Sequence, residues 1–210
     1  MSTFLDEIAE RIHQSLSART AARDRTLEHS RTLTRHCANA IRAIHRDEYH
    51  LAQDYLSAAL QLADTIHVDL QDYPDLLYAG YTQDSLKEFA EARLVYALVR
   101  GETPPTPEDL HIGEATYLQG LAEAVGELRR RILDILRHGH SSEAERLLNL
   151  MDDIYSNLVT MDYPDAITGG LRRLTDIARS IIERTRGDMT ISLRQEQLEA
   201  SLHRLEEKLP

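Results

Sequence analysis

Two short acidic patterns hold the most chemistry in this chain. Glu88-Phe89-Ala90-Glu91 sets two carboxylates three residues apart, and Glu123-Ala124-Val125-Gly126-Glu127 sets two four apart. On an α-helix either spacing puts the pair on one face, and Asp84 falls one turn before Glu88 on that same face. Like charges so placed weaken a helix by a few tenths of a kcal/mol, roughly, unless a proton or a cation separates them. Four carboxylate arms from two helices make an oxygen cage for Mg²⁺ or Mn²⁺, with positions left for water and a phosphate. Gly126, lying between the later glutamates, has no side chain to block a close approach. Lys87 beside Glu88, and Arg129 and Arg130 after Glu127, are cations placed to clamp a phosphodiester next to that metal. Taken singly, an acid pair is weak as a motif, because most such pairs on exposed helices bind nothing.

A second pattern is cationic. At 100° per residue, Arg31, Arg35, Arg42 and Arg46 share an arc of about 60°, with His45 beside it, while Leu33, Cys37, Ala40, Ile41 and Ile44 gather opposite. Such a stripe reads either as a plain solvated face or as a phosphate track of about 22 Å along several nucleotides. Other groupings offer less. Glu108-x-x-His111 has di-iron ligand spacing but adjoins a proline-rich loop and has no second copy on a helix. His138-x-His140 flanks Gly139 and reads as a helix C-terminus, and Cys37 sits on the apolar face as core. There is no glycine-rich phosphate loop, nucleophile elbow or Ser/His/Asp order.

The elements that must position these groups are helices. Nine Gly and six Pro punctuate the 210 residues, and between them apolar residues recur at spacings of three and four, which predicts an all-α bundle of six or seven helices. Helices are expected over Thr3–Arg46, Glu48–Leu70, Thr82–Arg100, Glu114–Arg137, Ser141–Met161 and Pro164–Arg186, with a final amphipathic piece over Ser192–Lys208. Thr106-Pro107 reads as an N-cap and first-turn proline opening one short turn. A helical body over 1–187 and a C-terminal helix or tail over 188–210 are the expected divisions. Leu198, Leu202, Leu205 and Leu209 keep heptad-like spacing in that tail.

The net charge is −11, which at face value counts against a polyphosphate partner. Its distribution is uneven. Residues 1–46 carry eight bases and five acids, 47–128 three and sixteen, and 129–210 thirteen and fourteen. Twenty-two of the 24 bases are arginine. A hydrophobic fraction of 42% with 28% charged residues predicts a folded chain, and a single Cys excludes an internal disulfide framework or a Cys-based zinc site. The N-terminal stretch has early acids and no long apolar run, so neither a secretion signal nor a membrane anchor is expected, and a cytoplasmic location is.

At these same residues the chain resembles the translin family, above all translin-associated factor X. The likeness runs from Ser30-Arg31 to Ile44-His45-Arg46, through Leu86-Lys87-Glu88-Phe89-Ala90-Glu91-Ala92, which is similar to that family's Gln-Glu-Tyr-Val-Glu-Ala segment. It is most specific in Tyr117-Leu118-Gln119-Gly120-Leu121-Ala122-Glu123-Ala124-Val125-Gly126-Glu127-Leu128, and ends with Leu171-Arg172-Arg173 to Arg186-Gly187. The resemblance implies a closed octameric all-α shell with nucleic acid inside, and a Mg²⁺-dependent endoribonuclease site for single-stranded RNA. Glu88, Glu91, Glu123 and Glu127 stand at the family's catalytic and metal positions. Glu123 stands where the eukaryotic pattern has Asp, and Phe89 where it has Tyr. A single-gene, archaeal-type member would assemble as a homo-octamer with acids in every subunit, and Arg31, Arg35, Arg42, Arg46, His45, Lys87, Arg129 and Arg130 would contact RNA. Two alternatives stay open. One is a translin-like module that binds single-stranded RNA or DNA, or a short duplex, without cutting. The other is an all-α nucleotide pyrophosphohydrolase, whose second acid pair is E-x-x-D at shorter separation, whereas here the second is E-x-x-x-E.

Overall fold

The computed structural model describes residues 2–139 and 141–207, and every described element is helical. Six long helices carry the architecture: α1 (Ser2–His45), α2 (Tyr49–Asp69), α4 (Gly80–Arg100), α5 (Glu114–Leu136), α6 (Ser142–Thr160) and α8 (Leu171–Glu206). Two single-turn helices, α3 (Pro74–Leu77) and α7 (Asp165–Thr168), act as corners. The expected all-α bundle is thus observed. No helix among the described residues is long and apolar enough to cross a membrane.

The bundle is organised around α4 and α5, which pack on each other; α1 and α2 lie against α4, and α6 and α8 against α5. The reason lies in the buried stripes. In α1 the buried residues Ala22, Thr26, Ser30, Leu33, Cys37, Ala40 and Ile44 recur every three or four positions, so only the second half of that helix has a core-facing edge. In α4, buried side chains cover most of the circumference, from Leu86 and Phe89 to Leu94, Val95 and Leu98, as suits a central helix. The turn after α1 is tight, with Asp47 in the left-handed region at φ 59° and the Glu48 amide donating to the Ala43 carbonyl at 2.9 Å.

Side chains close a few of the chain's turns and helix ends, as Ser141 does by accepting from the Ala144 amide at the start of α6. Thr106 and Asp109 cap each other's backbone amides at 2.9 and 3.2 Å, which makes the short turn expected at Thr106-Pro107. Arg146 of α6 donates to the Leu98 and Val99 carbonyls, both at 2.9 Å, and so satisfies the end of α4 from a neighbouring helix.

The last third of the chain differs from the expectation. Pro164 does not open a long helix: α7 stops at Thr168, and Gly169 and Gly170, at φ 59° and 86°, reverse the chain before α8. Nor does α8 end at Arg186. It runs unbroken through Gly187 to Glu206, because a helical glycine costs only about 1 kcal/mol and buried Thr185 and Met189 fasten the helix on either side of it. The helix end expected beside Gly139 is observed, α5 closing at Leu136 with Arg137 as its C-cap and Gly139 at φ 110°, while His140, Lys208 and Leu209 lie outside the described residues.

Candidate metal centre

The acid pairs meet because α4 and α5 come unusually close one turn from them. A Cβ at Gly120 would stand 2.8 Å from the Ala90 Cβ and 2.9 Å from the Lys87 carbonyl oxygen, so only glycine lets the two backbones touch there. Glu123 follows Gly120 by one turn on α5, and Lys87 to Glu91 face it on α4. Gly126, by contrast, has open space where a side chain would go. The helices thus touch at Gly120, while Gly126 leaves the space beside the later glutamates open.

Glu88, Glu91 and Glu123 each present a carboxylate oxygen, and the three oxygens lie within 4.8 Å of one another. Oxygen donors from two rigid helices suit a hard divalent cation. The electrostatics fit as well. Burial, then the Glu88 charge, pushes the Glu91 carboxyl up to about 8, and burial followed by Glu123 raises Glu88 above the ordinary carboxylate range. Without added positive charge the cluster keeps a proton at neutral pH, and a dication removes that need.

Glu127 belongs to a different set of contacts. Its Oε2 lies 2.5 Å from Nε2 of His45, a side chain only 3% exposed, and 3.6 Å from Arg130. The His45 hydrogen bond holds Glu127 below the usual carboxylate range despite its burial, so it is an ionised acceptor and His45 the donor. The other ring nitrogen of His45, Nδ1, is buried and has no hydrogen-bond partner. Lys87 donates to Glu123 at 2.8 Å. Burial works against that ammonium, but the hydrogen bond and charge of Glu123 outweigh it and hold its pKa above the ordinary value.

The remaining predicted residues divide. Arg31, Arg35, Arg42 and Arg46 are all exposed along α1; Arg42 bonds to Asn39 and Arg46 to Glu48, while Arg31 and Arg35 have no ion-pair partner among the described residues. Arg129 points to α8, where it donates to Thr185 at 3.0 Å and pairs with Asp188 at 2.8 Å, and Arg130 lies 3.6 Å from Glu127. Arg131 ties Asp47 to Glu143 at 2.9 and 3.4 Å. His111, at φ 54°, pairs with Asp64 and lies apart from the acids, and Cys37 is fully buried core. Two residues have functions their sequence setting did not reveal. His45 stands on the border between the core and cationic arcs of α1, which is the place from which a side chain reaches across to α5. Gly120 had only its smallness one turn before Glu123 as a signal.

No family model matches the chain. It is 32% identical over 193 residues to Uncharacterized protein MJ0175 of Methanocaldococcus jannaschii, covering 91% of this chain and 85% of that one. Two solved structures, the crystal structure of AfC3PO and the AfC3PO–duplex RNA complex, are each 33% identical with a TM-score of 0.82, over 89% of this chain and 97% of theirs. Apo-NeC3PO, at 22% identity and a TM-score of 0.78 over 90% of this chain and 96% of that one, shares the fold. With its helix order, its paired acids and this near-complete coverage, the chain belongs to the translin/TRAX family, alongside the archaeal C3PO proteins.

Proposed function

We propose that this protein is a Mg²⁺-dependent endoribonuclease that cuts single-stranded RNA on the inner face of a closed homo-octameric shell in the cytoplasm. The observation that carries the reading is the convergence of Glu88, Glu91 and Glu123 from two helices into one oxygen-donor cluster that retains a proton unless a cation is present. A divalent ion held there supplies positive charge for the phosphoryl group as it develops negative charge and lowers the pKa of water. Glu127, fixed and ionised by His45, completes the acid set. Lys87 pairs with Glu123, and with a dication held by the cluster its ammonium would be free to meet a phosphate. Arg31, Arg35, Arg42 and Arg46 hold successive phosphates along α1. Mn²⁺ meets the same oxygen set. The end of α8, from Asp188 to Glu206, extends the last helix beyond the 1–187 body and serves contacts between subunits.

The complex of AfC3PO with duplex RNA makes paired RNA the necessary comparison. Labelled single-stranded RNA, duplex RNA and single-stranded DNA are incubated with the protein in Mg²⁺ and then in EDTA. Cleavage of single-stranded RNA that stops in EDTA and in Glu123→Gln, with binding retained, is the expected result. Binding without cleavage by the wild type would leave a storage module. A solution mass near the 23.9 kDa of one chain would remove the shell.

A further inference from the structure

One turn before Glu88, a cavity of about 410 Å³ opens between α1 and α4, lined by Arg31, Thr34, Tyr81, Asp84 and Glu88 among others. That volume falls in the range of about 300–1,000 Å³ typical of small-ligand sites. Its polar groups are of unlike kinds. Arg31 and Asp84 are exposed and have no hydrogen-bond or ion-pair partner among the described residues. The Tyr81 hydroxyl is closed off from solvent and has no partner either, although buried hydroxyls are ordinarily bonded. The floor, by contrast, is satisfied from within: Ser85 donates to the Thr82 carbonyl at 2.8 Å, and its oxygen lies 3.1 Å from the Ser30 hydroxyl, which can donate to it.

This combination selects among ligands. A bare phosphate would meet Arg31 but also the carboxylates of Asp84 and Glu88, which repel it. An apolar ligand would leave the charged groups unpaired. A molecule with an anion at one end and neutral donors at the other suits all of them. Glu88 is shared with the carboxylate cluster, so whatever occupies the cavity adjoins that cluster. We infer that this cavity is a subsite for the ribonucleotide next to the scissile phosphate, with Arg31 on its phosphate and Asp84 accepting a hydrogen bond from the ribose 2′-hydroxyl. The 2′-hydroxyl is the donor that DNA lacks, so Asp84 sets the preference for RNA. The inference rests on the proposed ribonuclease reading, but it makes a binding claim that does not need catalysis.

The test is therefore run on the full-length protein in EDTA, by calorimetric titration with adenosine 5′-monophosphate and 2′-deoxyadenosine 5′-monophosphate. The ribonucleotide is expected to bind about tenfold more tightly than the deoxynucleotide, the scale of one hydrogen bond to a charged group. Asp84→Asn is expected to abolish that difference, weakening the ribonucleotide and leaving the deoxynucleotide unchanged or tighter. A carboxylate acting only by repulsion would make both bind more tightly in the variant, and that result overturns the assignment. Equal affinity for the two nucleotides, or absence of binding by either, also overturns the subsite. If RNA is cleaved in a Glu123-dependent way while the nucleotides are not distinguished, the subsite alone fails. If Asp84-dependent ribonucleotide binding is found in a protein that cleaves nothing, the ribonuclease reading fails and the subsite stands.

Discussion

Glu91 is the carboxyl most altered by its surroundings, raised to about 8 by burial and then by the charges of Glu88, Glu123 and Glu127. A group whose folded pKa lies above its unfolded value binds more protons in the folded state, so the metal-free protein loses stability as pH climbs from about 4.5 toward 8. Mg²⁺ must displace that proton. Its affinity is therefore expected to rise with pH and level off above about 8, and calorimetry near pH 7 in buffers of different ionisation enthalpy should show close to one proton released per metal bound. Glu91→Gln should lose both the proton release and the metal. His45→Ala is expected to cost about 1–3 kcal/mol, because it leaves the Glu127 carboxylate without its donor in a partly closed site. The same variant should raise the Glu127 pKa, which carboxyl-labelled NMR would follow. At this scale the chemistry was readable where it depended on spacing along one helix, as in Glu88 and Glu91. It was not readable where it depended on two distant segments: His45 and Glu127 are 82 positions apart, and a helical projection of α1 alone placed His45 with the arginines.

The helices set the metal distances through one contact. Because a Cβ at Gly120 would stand less than 3 Å from the Ala90 Cβ and the Lys87 carbonyl oxygen, Gly120→Ala must push α5 from α4, at an expected cost of about 1–3 kcal/mol and with a weakened Mg²⁺ affinity, since Glu123 lies on one helix and Glu88 and Glu91 on the other. Gly126→Ala meets nothing and should stabilise by up to about 1 kcal/mol through helix propensity. Urea unfolding of the two variants separates these outcomes, and an equal response would contradict the close-approach account. Boundaries tell a related story. The start of α5 after Gly113, the end of α4 at Gly101 and the Thr106 turn were evident from local turn chemistry. The continuity of α8 across Gly187 was not, because it is decided by what Thr185 and Met189 bury against, and sequence periodicity carries no information about that partner surface.

At the scale of the whole molecule, the acidic total conceals separate surfaces. The bases of 1–46 outnumber their acids while 47–128 is strongly acidic, and three of the middle segment's carboxylates are gathered in the metal cluster. An overall charge of −11 is thus compatible with RNA bound along α1. Replacing Arg31 and Arg35 together by Ala should weaken RNA binding irrespective of sequence. It should also reduce the slope of log affinity against log salt by about 1.4, at about 0.7 per single-strand phosphate contact. Phe4, Leu5, Ile12 and Leu16 on the free half of α1, and Leu198, Leu202 and Leu205 on the end of α8, remain exposed in the single chain, as shell-forming edges would. The most direct test of the central claim is cleavage of a circular single-stranded RNA by the wild type and by the Glu88→Gln, Glu91→Gln, Glu123→Gln triple variant, in Mg²⁺ and in EDTA. Linear product is expected only from the wild type in Mg²⁺, with the triple variant still bound to the circle. Mg²⁺-dependent linearisation by the triple variant would contradict that claim.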